Sequence, residues 1–227
     1  MLVIWCQLAQ RKQAMVDSCV SNILVVDYGG VLGDHHQREK EEELASLLDV
    51  SIDKCCKLIS EKSVQGAKVR EDKLSEEEFW ETVFHIAGTR TTEELSYSEL
   101  TRLWAETYKF NNEVYNLLAR VRQKHPIGVL TNIDRGRSRY LIDEVGLLSK
   151  IDIYLPSYSL KAIKPKIELW QQATEEIVNK FGRNIEITYI DDRQTHIDAC
   201  SRFGWNGILF DNTDHLETQL IDRKLIV

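Results

Sequence analysis

The sequence predicts an α/β protein in which a doubly wound parallel sheet carries an inserted all-helical module. Short apolar runs typical of buried strands recur along the chain, separated by segments whose apolar residues have helical spacing. This alternation is interrupted once, between residues 34 and 112, where helical patterns follow one another without a convincing strand. Alternating strands and helices indicate a parallel sheet, and the helical stretch indicates an insertion into it.

The predicted strands are short and rich in branched apolar residues. The first, Ile23–Val26, ends on Asp27, and the later ones are Ile127–Leu130, Ile151–Leu155, Ile187–Ile190 and Ile208–Phe210. Helical spacing over Val114–Val121 and Ile167–Ile177 supplies two of the connecting helices, and Gly182 is placed to end the second. Together these elements predict a Rossmann-like core.

The interval between residues 34 and 112 contains several amphipathic helical patterns. Ser75–Glu78 has the S-x-x-E pattern of a capping box before an apolar run, and we interpret Thr91–Glu94 as a second box. The division of the chain that follows is an N-terminal extension (1–21), an α/β core (22–33 and 113–227) and a helical module (34–112). The extension either packs against the core or results from a start assigned too early.

Composition and charge exclude several classes of function. The 227 residues carry a net charge of −7, which argues against a partner such as nucleic acid or an anionic membrane surface. No apolar run approaches the length of a transmembrane helix. Five cysteines without a C-x-x-C pair indicate reduced thiols, so we expect a cytoplasmic protein.

Polar side chains stand at or just beyond the ends of the predicted strands. Asp27 ends the first strand, Thr131 ends the second, and Asp191 and Asp192 follow the strand Ile187–Ile190. Lys164 lies in a connecting segment before a proline. Ligands of open α/β sheets bind at the carboxyl ends of the strands. If these strands are neighbours, a hydroxyl, an ammonium and three carboxylates converge there.

Such a convergence has a definite chemistry. Carboxylates that meet at one point repel one another and need a cation, and ligands that are all oxygen favour Mg²⁺. A phosphate monoester adds negative charge, which the metal and Lys164 offset, while Thr131 and the backbone N–H groups of the Gly29-Gly30 turn donate hydrogen bonds. Asp27 is then placed to attack phosphorus and form an aspartyl-phosphate.

Four motifs in one order carry a resemblance to a known family. They are Asp27-x-x-x-Val31, strand-Thr131-Asn132, Lys164-Pro165 and strand-Asp191-Asp192. Over about residues 22–215 this order resembles the haloacid dehalogenase (HAD)-like hydrolase superfamily. One subgroup of that family has a helical cap after the first motif, which is where residues 34–112 lie here.

The resemblance implies roles in catalysis and substrate binding. Asp27 corresponds to the nucleophile, and Lys164 to the lysine that orients it and neutralises the phosphate. Thr131 corresponds to the phosphate-binding hydroxyl, with the Asn132 amide beside it and the backbone of Gly30 in the phosphate-binding turn. The implied substrate is a small phosphorylated metabolite.

The resemblance also implies a Mg²⁺ site. Asp27 and Asp191 correspond to carboxylate ligands, Asp192 corresponds to a supporting neighbour, and the backbone carbonyl of Gly29 corresponds to the remaining protein ligand. Gly29 is also a departure, because phosphatases of the family usually carry a second aspartate there as the general acid and base. The loss of such a group typically costs about 10²–10⁴-fold in rate.

Other residues are candidates for supporting roles. The segment Asp34–His36 at the hinge into the helical module either replaces the missing acid or is simply a polar hinge. Lys68 and Arg70 are the cations of the module that we consider for substrate contact.

Three functions follow from this pattern. The first is a Mg²⁺-dependent phosphatase of small phosphate esters that forms an aspartyl-phosphate on Asp27 and turns over slowly because of Gly29. The second is a catalytically silent domain that uses the same site to bind a phosphorylated ligand or a protein. The third is a dehalogenase-type hydrolase acting at carbon, which needs no Mg²⁺, so the Asp191-Asp192 pair argues against it.

Overall fold

A computed structural model describes residues 21–35, 37–89 and 96–226. Apart from Ser21, the predicted N-terminal extension lies outside the described residues, and so does the predicted capping box at Thr91–Glu94. Among the helices of the described part, none is both long enough and apolar enough to cross a lipid bilayer.

A five-stranded parallel sheet is the centre of the described chain. The described residues form seven strands, two of which (β2 and β3) lie outside this sheet. In chain order the strands are β1 (Ser21–Val26), β2 (Gly33–His35), β3 (Tyr108–Phe110), β4 (Ile127–Thr131), β5 (Ile153–Pro156), β6 (Ile185–Asp191) and β7 (Asn206–Leu209). The order across the sheet is β5-β4-β1-β6-β7, and all neighbours are parallel. In this register Val26 lies opposite Val129 on one side and Ile190 on the other. The strand that ends on Asp27 is therefore central.

The helices of the described residues are numbered in chain order. They are α1 (Arg38–Leu47), α2 (Ile52–Ile59), α3 (Val64–Arg70), α4 (Glu76–Ala87), α5 (Tyr97–Ala105), α6 (Asn112–Val121), α7 (Arg135–Asp143), α8 (Leu147–Lys150), α9 (Ser157–Leu160), α10 (Ile167–Phe181), α11 (Gln194–Arg202) and α12 (Thr213–Asp222).

Helices cover both faces of the sheet. Leu24 and Val26 belong to an apolar cluster with residues of α6, α7 and α12, whereas Ile23 and Val25 belong to a second cluster with residues of α10 and α11. Successive residues of a strand point to opposite faces, so one apolar run supplies both clusters. This arrangement confirms the predicted doubly wound α/β core.

The helical segment, which we define as the described residues between Gln37 and Ala105, has its own apolar core. Trp80 is buried there, forms an edge contact with the Phe79 ring at 5.1 Å, and donates a hydrogen bond from its indole N–H to Thr101 Oγ1 at 2.7 Å. The predicted capping box at Ser75 and Glu78 is present at the start of α4. Because this segment buries its apolar residues internally, it packs as a unit beside the sheet.

A two-stranded antiparallel ribbon joins the helical segment to the sheet, and the sequence pattern did not predict it. In this ribbon β2 pairs with β3, with Gly33 opposite Phe110 and Asp34 opposite Lys109. The prediction of no strand between residues 34 and 112 was therefore wrong. Strands of three residues are too short for their alternation of side chains to be recognised, and pairing between residues far apart in the chain stabilises them instead.

Candidate active site

The ends of three neighbouring strands bring predicted site residues together. β1 lies between β4 and β6, so Asp27 follows the central strand between Thr131, the last residue of β4, and Asp191, the last residue of β6. All three side chains are buried. Parallel strands end at the same edge of a sheet, which explains how residues more than 100 positions apart meet.

The ammonium of Lys164 links the two carboxylates. Its Nζ lies 2.7 Å from Asp27 Oδ2 and 2.9 Å from Asp191 Oδ2, and it donates a further hydrogen bond to Tyr189 Oη at 2.8 Å. Lys164 is only 2% exposed. A buried charge is tolerated only when it is paired and hydrogen-bonded, and here two carboxylates and a phenol satisfy this requirement.

The carboxylate of Asp191 contacts several groups that the sequence pattern does not indicate. Besides Lys164, the Tyr189 hydroxyl, the Arg193 backbone N–H at 2.9 Å and His196 Nδ1 at 2.9–3.0 Å contact its carboxylate. No motif of the sequence indicated His196 or Tyr189. Tyr189 precedes Asp191 by two residues and shares its face of β6, whereas His196 reaches back from the first turn of α11. The period-two rule could have found Tyr189.

The two carboxylates differ in their protonation. Burial raises the pKa of Asp27 to about 8 against the opposing charge of Lys164, and the negative charges of Asp191 and Asp192 contribute to the rise. Burial also works to raise the pKa of Asp191, but Lys164 and His196 outweigh it and hold that pKa far below its ordinary value. The stable negative charge of the pair therefore resides on Asp191, and the site has an excess of carboxylates over cations.

The Gly29-Gly30 turn lies beside these carboxylates and also packs against Asp192. Gly30 has φ +82°, and a Cβ there would lie 2.5 Å from Asp192 Oδ2. The Gly30 N–H, which we had expected to face phosphate, donates to the Gly33 carbonyl at 2.8 Å. Gly30 is therefore required by the close approach of Asp192 and by its left-handed backbone.

The side-chain amide of Asn132 is engaged by the protein itself. Its Oδ1 accepts from the Lys164 backbone N–H at 2.8 Å, and its Nδ2 donates to the Lys164 carbonyl at 3.2 Å and to Glu61 Oε2 at 2.7 Å. Thr131 has a different position, because it is buried at the end of β4 and lines the same cavity as Asp27. The sequence pattern predicts both residues at the site but does not distinguish their surroundings.

A cavity of about 200 Å³ lies between the strand ends and the helical segment. The core contributes Asp27, Gly29, Thr131 and Lys164 to its lining, together with Asn132, Arg137, Arg193 and His196. The helical segment contributes Glu41, Leu44, Cys55, Cys56, Ile59, Ser60, Glu61, Arg70, Trp104 and Ala105. Of the two module cations that we considered, Arg70 lines the cavity, while Lys68 is exposed and does not.

Ion pairs connect the helical segment to the core, and one of them lines this cavity. Glu61 pairs with Arg193, which follows β6, and Asp72 pairs with Arg135 and Lys161 of the core. The arginine holds the pKa of Glu61 below its ordinary value although burial opposes this. The segment is therefore held over the strand ends by contacts at several points.

The donor set fits a small divalent cation. Carboxylate oxygens of Asp27 and Asp191 and a ring nitrogen of His196 lie within 4.8 Å of one another, and Gly29 follows Asp27 by two residues at the same cavity. Mg²⁺ prefers carboxylate and carbonyl oxygens, and a cation would offset the excess of carboxylates. Asp192 is exposed and belongs to neither this cluster nor the cavity lining.

No replacement for the acid missing at Gly29 comes from the described part of the hinge. Asp34 is exposed in β2 and does not line the cavity. The side chain of His35 and the whole of His36 lie outside the described residues.

No protein-family model matches the chain. A Schizosaccharomyces pombe protein described as an uncharacterized hydrolase is 32% identical over 89 residues, which are 37% of this chain and 39% of that protein. The match therefore spans less than half of the curated relative.

Solved structures match over most of their length. A HAD family enzyme from Bacteroides thetaiotaomicron, in complex with magnesium and inorganic phosphate, superposes with a TM-score of 0.67 at 16% identity, over 87% of this chain and 99% of that one. A HAD-like family hydrolase from Porphyromonas gingivalis gives a TM-score of 0.68 at 18% identity, over 89% and 98%. The L-2-haloacid dehalogenase PA0810 gives 0.63 at 12% identity, over 84% of each chain. The chain has the fold of the haloacid dehalogenase-like hydrolase superfamily.

Proposed function

We propose that this protein is a Mg²⁺-dependent hydrolase of small phosphate monoesters that uses Asp27 as its nucleophile. The observation that carries the proposal is the position of Lys164 Nζ, within 2.9 Å of both Asp27 and Asp191 at the end of the cavity where the strands terminate. A buried carboxylate beside a fixed ammonium can approach a phosphoryl group whose charge the ammonium offsets. The magnesium and phosphate complex of the Bacteroides neighbour supports this assignment.

In the proposed reaction an Asp27 carboxylate oxygen attacks phosphorus, and the bond from phosphorus to the ester oxygen breaks. The alcohol leaves with a proton from solvent, since Gly29 has no side chain to supply one. Water then attacks the aspartyl-phosphate, which releases inorganic phosphate and regenerates Asp27. Lys164 holds Asp27 in position and offsets charge on the phosphoryl oxygens, and the Thr131 hydroxyl donates a hydrogen bond to one of them.

The proposed Mg²⁺ ligands are Asp27, Asp191 and the backbone carbonyl of Gly29. When bound, the cation supplies positive charge that favours ionised Asp27 and offsets charge on the phosphate. We assign Asp192, which packs against Gly30, a supporting negative charge in this site. The helical segment is proposed to act as a cap, since it contributes much of the cavity wall.

Gly29 limits the leaving groups that this site can use. Without a positioned acid, esters of ordinary alcohols leave slowly, whereas aryl and acyl phosphates leave as stabler anions. The same glycine favours a second candidate function, a silent domain that binds a phosphorylated ligand and does not turn it over.

The test is a phosphate-release screen of the full-length protein with Mg²⁺, using p-nitrophenyl phosphate, acetyl phosphate and a panel of phosphate monoesters. Hydrolysis that disappears in Asp27→Asn and in EDTA supports the phosphatase. Silence across the panel, with Mg²⁺ binding intact by calorimetry, supports the binding domain. Halide release from 2-haloacids in EDTA would instead identify the chemistry as attack on carbon.

A further inference from the structure

A pair of buried arginines lines the cavity and takes no part in the proposed attack on phosphorus. Arg137, from α7 of the core, is 4% exposed, and Arg70, from α3 of the helical segment, is 5% exposed. Both guanidinium groups lie over the ring of Trp104, at 3.6 Å for Arg137 and 5.0 Å for Arg70. One element of the core and one of the helical segment therefore bring two cations to one aromatic ring.

Arg137 retains hydrogen-bonding capacity that the protein does not use. Its Nε pairs with Asp134 Oδ2, and its backbone N–H donates to Asp134 Oδ1 at 2.9 Å. Its buried Nη2, however, has no hydrogen-bond partner among the described residues. The other such atom of the described chain, Glu76 Oε1, belongs to a residue that does not line the cavity. An unsatisfied buried guanidinium N–H is costly and is rare unless a water, an ion or a ligand completes it.

The charges around this pair leave an excess of positive charge. Arg70 donates to carbonyls, namely those of Ile59 at 3.1 Å and Gly66 at 2.8 Å, and these are neutral acceptors. Asp134 is the carboxylate paired with Arg137, and it faces both guanidinium groups. Burial lowers the pKa of Arg70 to about 9, and the charge of Arg137 contributes to the fall. Glu61 also acts on Arg70 but is already paired with Arg193, so three arginines share two carboxylates beside this part of the cavity.

The opposite sign of charge prevails at the strand ends. Asp27 and Asp191 share the single ammonium of Lys164 there. A substrate with a second anionic group is repelled from those carboxylates and attracted to the arginines. The cavity of about 200 Å³ is smaller than most ligand pockets, which favours a short spacer between the two groups.

We propose that Arg137, with Arg70 adding positive charge, binds a second anionic group of the substrate, either a carboxylate or a second phosphate. The inference rests on the proposed function, since it assigns the phosphoryl group to the Asp27 end of the cavity. The substrate class is then a short phosphate monoester whose far end carries an anion. Arg137 is a specificity-determining residue in this scheme.

Phosphonates test the inference without turnover, because their carbon–phosphorus bond resists hydrolysis. The probes are propylphosphonate, 3-phosphonopropanoate and propane-1,3-bisphosphonate, which share a three-carbon chain and differ at its far end, where the third carbon is a methyl group, a carboxylate carbon or the attachment point of a second phosphonate. Their dissociation constants are measured by calorimetry with Mg²⁺ on the wild-type protein, Arg137→Gln, Arg137→Lys and Arg135→Lys. Arg135 is the matched control, because it lies on the same helix but does not line the cavity.

We expect the wild-type protein to bind at least one anionic probe on the order of 10- to 100-fold more tightly than propylphosphonate, as expected for a hydrogen bond between charged groups. The preferred probe identifies the second group as carboxylate or phosphate. Arg137→Gln should reduce the ratio to about one and Arg137→Lys should reduce it partly, while Arg135→Lys should retain it. Thermal unfolding verifies that each variant is folded.

Equal binding of all three probes by the wild-type protein overturns the inference even if no Arg137 variant folds, and so does a preference retained in a folded Arg137→Gln. The fate of the proposed function is separate. A preference for a probe with an anionic far end, without phosphate release from p-nitrophenyl phosphate or acetyl phosphate, would contradict the hydrolase and keep the anion site. Phosphate release without a preference for a probe with an anionic far end would support the hydrolase and contradict the anion site.

Discussion

The side-chain amide of Asn132 forms two hydrogen bonds with the backbone of Lys164, accepting from its N–H at 2.8 Å and donating to its carbonyl at 3.2 Å. The loop after β4 thereby fixes the segment that carries the buried ammonium. A third bond, to Glu61, extends the contact into the helical segment. Asn132 is a positioning residue for Lys164, and through Lys164 for Asp27.

Asn132→Ala should destabilise the protein by about 1–3 kcal/mol, because three hydrogen bonds are lost and backbone groups of Lys164 lose their partners. Urea unfolding monitored by tryptophan fluorescence measures the change. Asn206→Ala, at an exposed position of β7, is the control and should change the free energy of unfolding by less than about 0.5 kcal/mol. Equal effects of the two substitutions would contradict the positioning role.

Gly29→Asp should raise the rate of hydrolysis of alkyl phosphates by about 10²-fold or more, because it supplies a general acid and base at the cavity. The backbone of Gly29, unlike that of Gly30, is outside the left-handed region, so its φ does not disfavour a side chain there. Steady-state kinetics on propyl phosphate and p-nitrophenyl phosphate measure the gain, which should be smaller for the aryl ester. Gly29→Asn introduces a side chain of the same shape that has no ionisable carboxyl group. A similar gain in rate in that variant would exclude acid catalysis as the cause.

The contribution of Asp27 to stability should fall as the pH rises, in the protein stripped of divalent cations with EDTA. Burial raises the pKa of Asp27 from 3.8 to about 8, so the folded state holds the proton that the unfolded state has lost. This contribution is complete below pH 4, declines between about pH 4 and pH 8, and is lost above that range. The measurement is the difference in free energy of unfolding between wild type and Asp27→Asn at several pH values.

In that difference most other titrating groups cancel. Mg²⁺ should flatten the decline, since a bound cation favours the ionised carboxylate. In EDTA, a difference that does not change with pH would show that Asp27 ionises at its ordinary pKa in the folded protein, and a difference that rises with pH would show a lowered pKa; either result would contradict the expected rise in pKa.

The ion pair between Glu61 and Arg193 should couple the helical segment to the core by about 0.5–1 kcal/mol. The carboxylate is largely buried, at 16% side-chain exposure, but Arg193 is 43% exposed, so solvent screens much of the attraction. A double-mutant cycle with Glu61→Gln and Arg193→Gln, measured by urea unfolding, isolates the pairwise energy. The exposed pair of Lys57 and Asp53 within α2 provides the comparison and should give a smaller value. Identical coupling energies would argue against a special role for the Glu61–Arg193 pair.

Much of the core was predictable because it depends on patterns within short segments. Ile23–Val26 is a continuous apolar run, and a strand covered on both faces needs such a run. The rule that ligands bind at the carboxyl ends of parallel strands then singled out Asp27, Thr131 and Asp191. Boundaries were less exact, since β5 begins at Ile153, two residues later than its apolar run. Backbone pairing sets the end of a strand, and side-chain patterns do not report it.

The sequence by itself determined the α/β class and the polar residues at the strand ends, because each depends on local periodicity or on a strand terminus. Only the tertiary structure decided how those polar groups are used. It gave the Asn132 amide to Lys164 and the Gly30 N–H to Gly33. It also brought Arg70 and Arg137 to the ring of Trp104 beside the cavity. The reason is physical: hydrogen bonds and charges act between atoms a few ångströms apart, and chain separation does not encode that distance.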